Sequence, residues 1–190
     1  MIIYKTANSK NDLEGILDLQ KANLAQSLTP DEIENQGFVT VHHSYEQLEK
    51  LNNIEKHVIA KDDDRVIGYL LAMTQKSKHD IPVLVPMFDA FNAIFYKEKK
   101  IAEYNYIVVG QVCVDKSYRG QGILDDCYDA YKKIYEGKYD FAITEIAATN
   151  SRSLNAHARI GFKQIHSYYG LYNEAWIVVI RDWKKSINKI

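Results

Sequence analysis

The apolar positions of the chain change period several times, and each change marks an element. Ile2 to Thr6 is a short apolar strand. After Ser9 and Asn11 come Leu13, Ile16, Leu17, Leu19 and Leu24, at helical spacing. Thr29-Pro30-Asp31-Glu32 reads as another helix start, with a Thr cap, Pro in the first turn and acids at the positive dipole end. Ser44 and Gln47 have capping-box spacing, which predicts a helix from Ser44 to Leu51. His57 to Lys61 and Val66 to Met73 are apolar strands joined by Asp62-Asp63-Asp64. A triple Asp at that place is a hairpin tip before it is a metal site.

A helical insert is expected over approximately 80–100. Pro86 starts it, Met87, Phe91, Ile94 and Phe95 form its apolar face, and Lys97-Glu98-Lys99-Lys100 is its solvated end. Tyr106 to Val114 shows no polar alternation, so both faces of this strand are buried; Gly110 inside it predicts a bulge or a close backbone approach. Gly122 to Glu136 is a helix with a stripe of Ile123, Cys127, Tyr131 and Ile134, flanked by Leu124, Tyr128 and Tyr135. Asp140 to Ala147 is a further buried strand. Asn150 to Ile160 is a helix stopped by Gly161, and Phe162 to Tyr169 with Glu174 to Ile180 form a hairpin. This order is that of one mixed α+β domain spanning 1–190, with an antiparallel early sheet and one βαβ unit.

Composition narrows the classes. Lys and Arg number 24 against 25 Asp and Glu, a net charge of -1, which argues against a nucleic-acid partner. Two cysteines, Cys113 and Cys127, have no zinc-ligand spacing and read as buried thiols, so no metal is expected. No apolar stretch approaches a membrane span and the first residues do not read as a signal peptide; a soluble cytoplasmic protein without a membrane partner is expected.

The chemistry lies between the Tyr106–Val114 strand and the following helix, in Val112-Cys113-Val114-Asp115-Lys116-Ser117-Tyr118-Arg119-Gly120-Gln121-Gly122-Ile123-Leu124. Glycines at 120 and 122 let successive N–H groups converge at a helix N-terminus, which suits a pyrophosphate. The spacing matches neither a P-loop nor a dinucleotide fingerprint.

Together with Asn150, His157 and Gly161-Phe162, this segment resembles the GNAT superfamily of acyl-CoA-dependent N-acetyltransferases, most clearly over 106–168. The resemblance implies a central mixed, mostly antiparallel sheet with helices on both faces and a splayed cofactor cleft. It implies acetyl-CoA as co-substrate, held by Arg119, Gly120, Gln121, Gly122, Ile123 and Leu124 at its pyrophosphate, by the backbone of Val112, Cys113 and Val114 along its pantetheine arm, and by Asn150. It gives His157 the place of the acid that protonates the leaving thiolate. The chain departs from the pattern at Leu124, where the family has Gly or Ala, in the acids Asp125 and Asp126 that follow, and in having His157 rather than Tyr.

The implied activity is transfer of acetyl to a primary amine of a small molecule or protein by direct attack in a ternary complex. A non-catalytic acyl-CoA-binding or regulatory module is the alternative, and an interaction domain with a vestigial cleft is a third reading. By neighbourhood alone Glu103, Asp89 and Tyr106 are candidates for a general base, and the Phe-rich insert is a candidate homodimer face. Several of the 14 tyrosines lie in segments that build the acceptor site in such a fold, where an aromatic pocket competes with plain core packing.

Overall fold

The computed structural model describes residues 1–29, 31–33, 38–79, 81–170 and 173–184. Pro30 of the expected second helix start lies outside these residues, although Thr29 Oγ1 does accept from Glu32 N, as a cap should. The strands are β1 (Ile2–Thr6), β2 (Val58–Asp62), β3 (Arg65–Met73), the two-residue pair β4 (Phe95–Tyr96) and β5 (Lys99–Lys100), β6 (Tyr106–Val114), β7 (Phe141–Ala147), β8 (Lys163–Tyr169) and β9 (Ala175–Asp182). The main helices are α1 (Lys10–Ala22), α2 (Tyr45–Ile54), α3 (Val85–Ala93), α4 (Ile123–Tyr135) and α5 (Ser151–Ile160).

Local chemistry sets the helix ends. Ser9 Oγ accepts from Asp12 N, and Ser44 and Gln47 close a reciprocal capping box. Asn150 Oδ1 caps α5 by accepting from Ser153 N, and Gly161 ends that helix with a φ of 101°. Beneath β1, the fully buried carboxylate of Asp12 meets Lys5 and Lys61, which hold it well below the usual carboxylate range against the cost of burial.

One seven-stranded sheet runs in the order β1-β2-β3-β6-β7-β9-β8. Every neighbour is antiparallel except β6 and β7. On one face α1, α2 and α3 bury Ile16, Leu48, Phe88 and Phe91 against Tyr69, Val108, Ile143 and Val178. On the other, α4 and the end of α5 bury Cys127, Tyr128, Tyr131 and Phe162 against Ile67, Leu70, Ile107 and Ala142.

Three side chains differ from the expected pattern. Phe95 leaves the insert at the β4 turn and is 66% exposed, and Phe88, seven residues earlier, takes the core position. Ile134 sits on the outer edge of α4, because the larger Tyr128 and Tyr135 claim the buried face. Met87, Phe88, Phe91 and Ile94 of the insert are spent on this chain's own core, while Phe95 stays at the surface.

Two irregularities create the site. Opposite Leu71 and Ala72 the pairing of β6 skips from Gln111 to Val109, so Gly110 is an extra residue in a β-bulge. A Cβ on Gly110 would lie 2.2 Å from Met73 Sδ, so a larger residue here would have to push the Met73 side chain aside. The second irregularity is a splay. Tyr106, Ile107 and Val108 pair with Phe141, Ala142 and Ile143, and the two strands then part. Thr144 Oγ1 donates to Val109 O at 2.8 Å, the last tie before the gap.

Candidate active site

Beyond this parting lies a cleft of about 560 Å³, lined by the end of β6, the start of α4 and α5. One wall is the free edge of β6. Asp115 N donates to Ile67 O, so on the same alternation Cys113 and Gln111 point their backbone groups at β3, whereas Val112 and Val114 point theirs into the cleft. Arg119 Nε confirms the direction by donating to Val114 O at 3.1 Å, while its Nη2 donates to Asn23 Oδ1 on the turn after α1. Val112 therefore presents an N–H and a C=O to a ligand lying along the edge.

The mouth of the cleft is the N-terminus of α4. Gly120 and Gly122 have φ of 77° and 83°, left-handed values that disfavour other residues. Gly122 caps the helix with no side-chain hydrogen bond, so the amides of its first turn face outward, as an anion requires. Arg152 and Arg159 of α5 line the same cleft. Asp125 does not repel an anion there, since it forms a two-pronged ion pair with Arg159, and Asp126 turns away to accept from Tyr4 OH. Leu124 lies on the cleft wall and packs against the α4-side core, so it narrows the mouth without closing it.

Val112, Cys113, Val114, Arg119, Gly120, Gly122, Ile123, Leu124, Asn150 and His157 all line the cleft. Gln121 does not: its side chain folds back so that Nε2 donates to Ser117 O. Asn150 is committed to capping α5, and its Nδ2 donates to Phe38 O at 3.4 Å, tying the segment before α2 to the cleft rim. Sequence reasoning missed Arg152 and Arg159, although seven residues apart they share a helix face, and it missed Asn23, which carries no local signal; Phe38, expected in an acceptor-building segment, lines this cleft.

His157 does not suit the acid role. It is 2% exposed. Its Nδ1 lies 2.8 Å from Ser153 O, which can only accept, so Nδ1 carries the hydrogen and Nε2 accepts from Tyr128 OH at 2.6 Å. Burial lowers its pKa to about 4, which leaves the ring neutral at pH 7 with its only N–H already given. Cys113 is no nucleophile either, because burial pushes its thiol up to about 12.

A different carboxyl, outside the cleft lining, is tuned toward neutrality. Glu145 interrupts the apolar run of β7 just past the last paired residue, Ile143. Extending the parallel register by two residues puts it level with Gly110, on the sheet face that carries α1. Its Oε2 accepts from Tyr168 OH on β8. Burial raises its pKa to about 7, assisted by the nearby Glu174 carboxylate and opposed by the Tyr168 hydrogen bond. The expected base candidates stand elsewhere. Glu103 is bound to Lys100 N, Asp89 to Lys78, and Tyr106 OH to Asn92 Oδ1.

The Acetyltransferase (GNAT) family model matches residues 22–162. The chain belongs to the GNAT acetyltransferase family. Solved structures similar to this GNAT acetyltransferase include the ribosomal-protein-S18-alanine N-acetyltransferase of Escherichia coli, at 9% identity and TM-score 0.64, covering 100% of this chain and 99% of that one. Arabidopsis thaliana NAA60 in complex with acetyl-CoA is similar at 16% identity and TM-score 0.64, covering 96% and 99%. The NatC complex bound to Gag peptide and CoA matches at 17% and TM-score 0.64, covering 96% and 99%. No curated protein matches the chain.

The residues present fit acetyl-CoA as the co-substrate of this GNAT acetyltransferase: an outward-facing helix N-terminus between arginines for the phosphates, and an open strand edge for an amide-bearing arm. Among the described residues no His, Cys, Asp or Glu cluster is placed to hold a metal, and no helix is long and apolar enough to cross a membrane. For His157 the structure predicts a stability role. His157→Phe orphans the buried Tyr128 hydroxyl and should cost about 1–3 kcal/mol of unfolding free energy in denaturant melts. Acetyl transfer by the folded fraction should stay within the same order of magnitude; a fall of ~100-fold or more would restore the acid role.

Proposed function

We propose that this GNAT acetyltransferase moves an acetyl group from acetyl-CoA to a primary amine of a protein or small molecule, by direct attack within a ternary complex, with Glu145 as the general base. The observation that carries the reading is Glu145 itself, a carboxyl tuned to about 7 where the strands part. A base near the working pH combines a useful ionised fraction with a useful proton affinity. Glu145 takes the proton from the attacking amine, and Tyr168 holds the carboxyl in place. Val112 N–H, on the open edge, is a preorganised donor for the negative charge that grows on the thioester oxygen. An ordinary thiol titrates near ~8.5, above Glu145 at about 7, so the departing thiolate recovers the proton that Glu145 took from the amine and the chain need not supply a separate acid.

Support for an amine acceptor comes from charge. The cleft carries Arg119, Arg152 and Arg159, whereas the carboxylates of Glu145 and Glu174 lie near each other outside its lining. The neighbours named above include enzymes of protein amino groups, which puts free protein N-termini beside small amines among the acceptors to try. A cytoplasmic setting goes with this reading, since Cys113 and Cys127 are both free and buried. The test is CoA-thiol release from acetyl-CoA across peptides with free N-termini, lysine-bearing peptides and small primary amines. Intersecting initial-velocity lines with one of these classes are expected. Thiol release that no amine raises above hydrolysis, in a protein that binds CoA, would favour the non-catalytic module.

A further inference from the structure

We propose that Met73 sets the acyl chain length, admitting acetyl-CoA and excluding longer acyl-CoA donors. This rests on the reading given under Proposed function. A ligand arm that follows the open edge of β6 runs from Val114 to Val112 and on toward the last paired residues, Val108 and Ile143. The cleft follows that route and stops: Val112 and Cys113 line it, and neither Gln111 nor Gly110 does. Whatever fills the space over those two residues sets how far an acyl group can extend.

The bulge turns Gly110 and Gln111 to the same sheet face, the α1 side from which Glu145 acts. Met73 fills the space over Gly110, with Sδ and Cε 2.2 and 2.5 Å from where a Cβ would be, and is itself 2% exposed. Gln111 is fixed beside it, because its Oε1 accepts from Tyr69 OH and Gln20 Nε2, both at 2.6 Å, and its Nε2 donates to Val41 O. A rigid polar bracket and a thioether chain thus close the end of the route. Of the two, Met73 is the apolar one, and shortening it creates apolar space of the kind a longer acyl chain would fill.

The test is binding by calorimetry, which needs no acceptor. Wild type, Met73→Ala and Met73→Leu would be titrated with CoA, acetyl-CoA, propionyl-CoA and butyryl-CoA. For the wild type, affinity should fall about 10-fold or more from acetyl-CoA to butyryl-CoA. In Met73→Ala the order should reverse, at about fourfold per methylene accommodated. Met73→Leu should keep the wild-type order, since it conserves volume. Equal binding of all three thioesters by the wild type would overturn the proposal, as would an unchanged ladder in a folded Met73→Ala. Should the alanine variant not fold, Met73→Val and the wild-type ladder decide it in the same way. Failure of folded wild type to bind CoA or any thioester would instead remove the acetyltransferase reading on which the proposal stands.

Discussion

Glu145→Gln should lower kcat for acetyl transfer by about 10²- to 10⁴-fold while leaving acetyl-CoA affinity nearly unchanged. The amide keeps the size of the side chain and can still accept from Tyr168, but it cannot take a proton from the amine. The pH profile provides a second signature. Glu145 ionises at about 7 in the folded protein, above its ordinary value of 4.5, because burial penalises the charged form. The active form is the deprotonated one, so wild-type kcat/KM should climb with pH up to about 7 and flatten above it, until ionisation of the acceptor amine intervenes. The linkage has the opposite sense for stability. A carboxyl whose folded pKa is raised favours the folded state while protonated, and that contribution is lost as pH rises from 4.5 through about 7. Activity therefore rises across the window in which this group's contribution to stability falls. The glutamine variant should lose both dependences, and a variant that retains the acidic limb would assign the base to another group.

Gly122→Val should weaken acetyl-CoA binding by about 100-fold or more. A Cβ at Gly122 meets nothing within 4 Å, so no clash with the protein opposes it. The φ of 83° is what a β-branched residue resists, at a cost of roughly 1–2 kcal/mol. The loop relieves the strain by rotating away from that φ, and the N–H groups of the first turn of α4 then lose their common focus. Each lost hydrogen bond to a charged phosphate costs ~1.5–3 kcal/mol, so two suffice for the effect. Calorimetry against acetyl-CoA measures it, and the melting temperature should fall only modestly because the core is untouched. Unchanged affinity would mean that the arginines, and not the backbone, hold the phosphates.

The sequence was informative wherever function and local backbone chemistry coincide. Gly120, Gly122 and Gly161 were legible because their conformations are left-handed, and Ser44 with Gln47 because a capping box has fixed spacing. Gly110 was legible as an interruption in an apolar strand. Reading His157 required knowing what lies opposite. Tyr128 is 29 residues away in sequence, and only the packing of α5 against α4 shows that the two rings satisfy each other. Glu145 did leave a signal, the one charged residue in Phe141–Ala147, but its meaning depends on where β6 and β7 part. Phe38 and Asn23 reach the cleft through long-range folding, which periodicity does not encode.

The short seam between β6 and β7 has a mechanical consequence. Beyond Val108 and Ile143 the two strands no longer pair, so the sheet behaves as two leaves hinged on one edge. At the closed end of that hinge Phe141 is gripped by Tyr96, Tyr104 and Tyr106, with ring centroids 5.6, 5.1 and 6.1 Å away. Two of these rings come from the segment between β3 and β6, and Tyr96 OH also reaches Asp182 on the far leaf at 2.9 Å. The insert is thus a clamp on the hinge pin. Substitutions there would alter the angle between the leaves, and with it the gap between Val112 and Glu145, from the opposite end of the molecule to the pyrophosphate cradle.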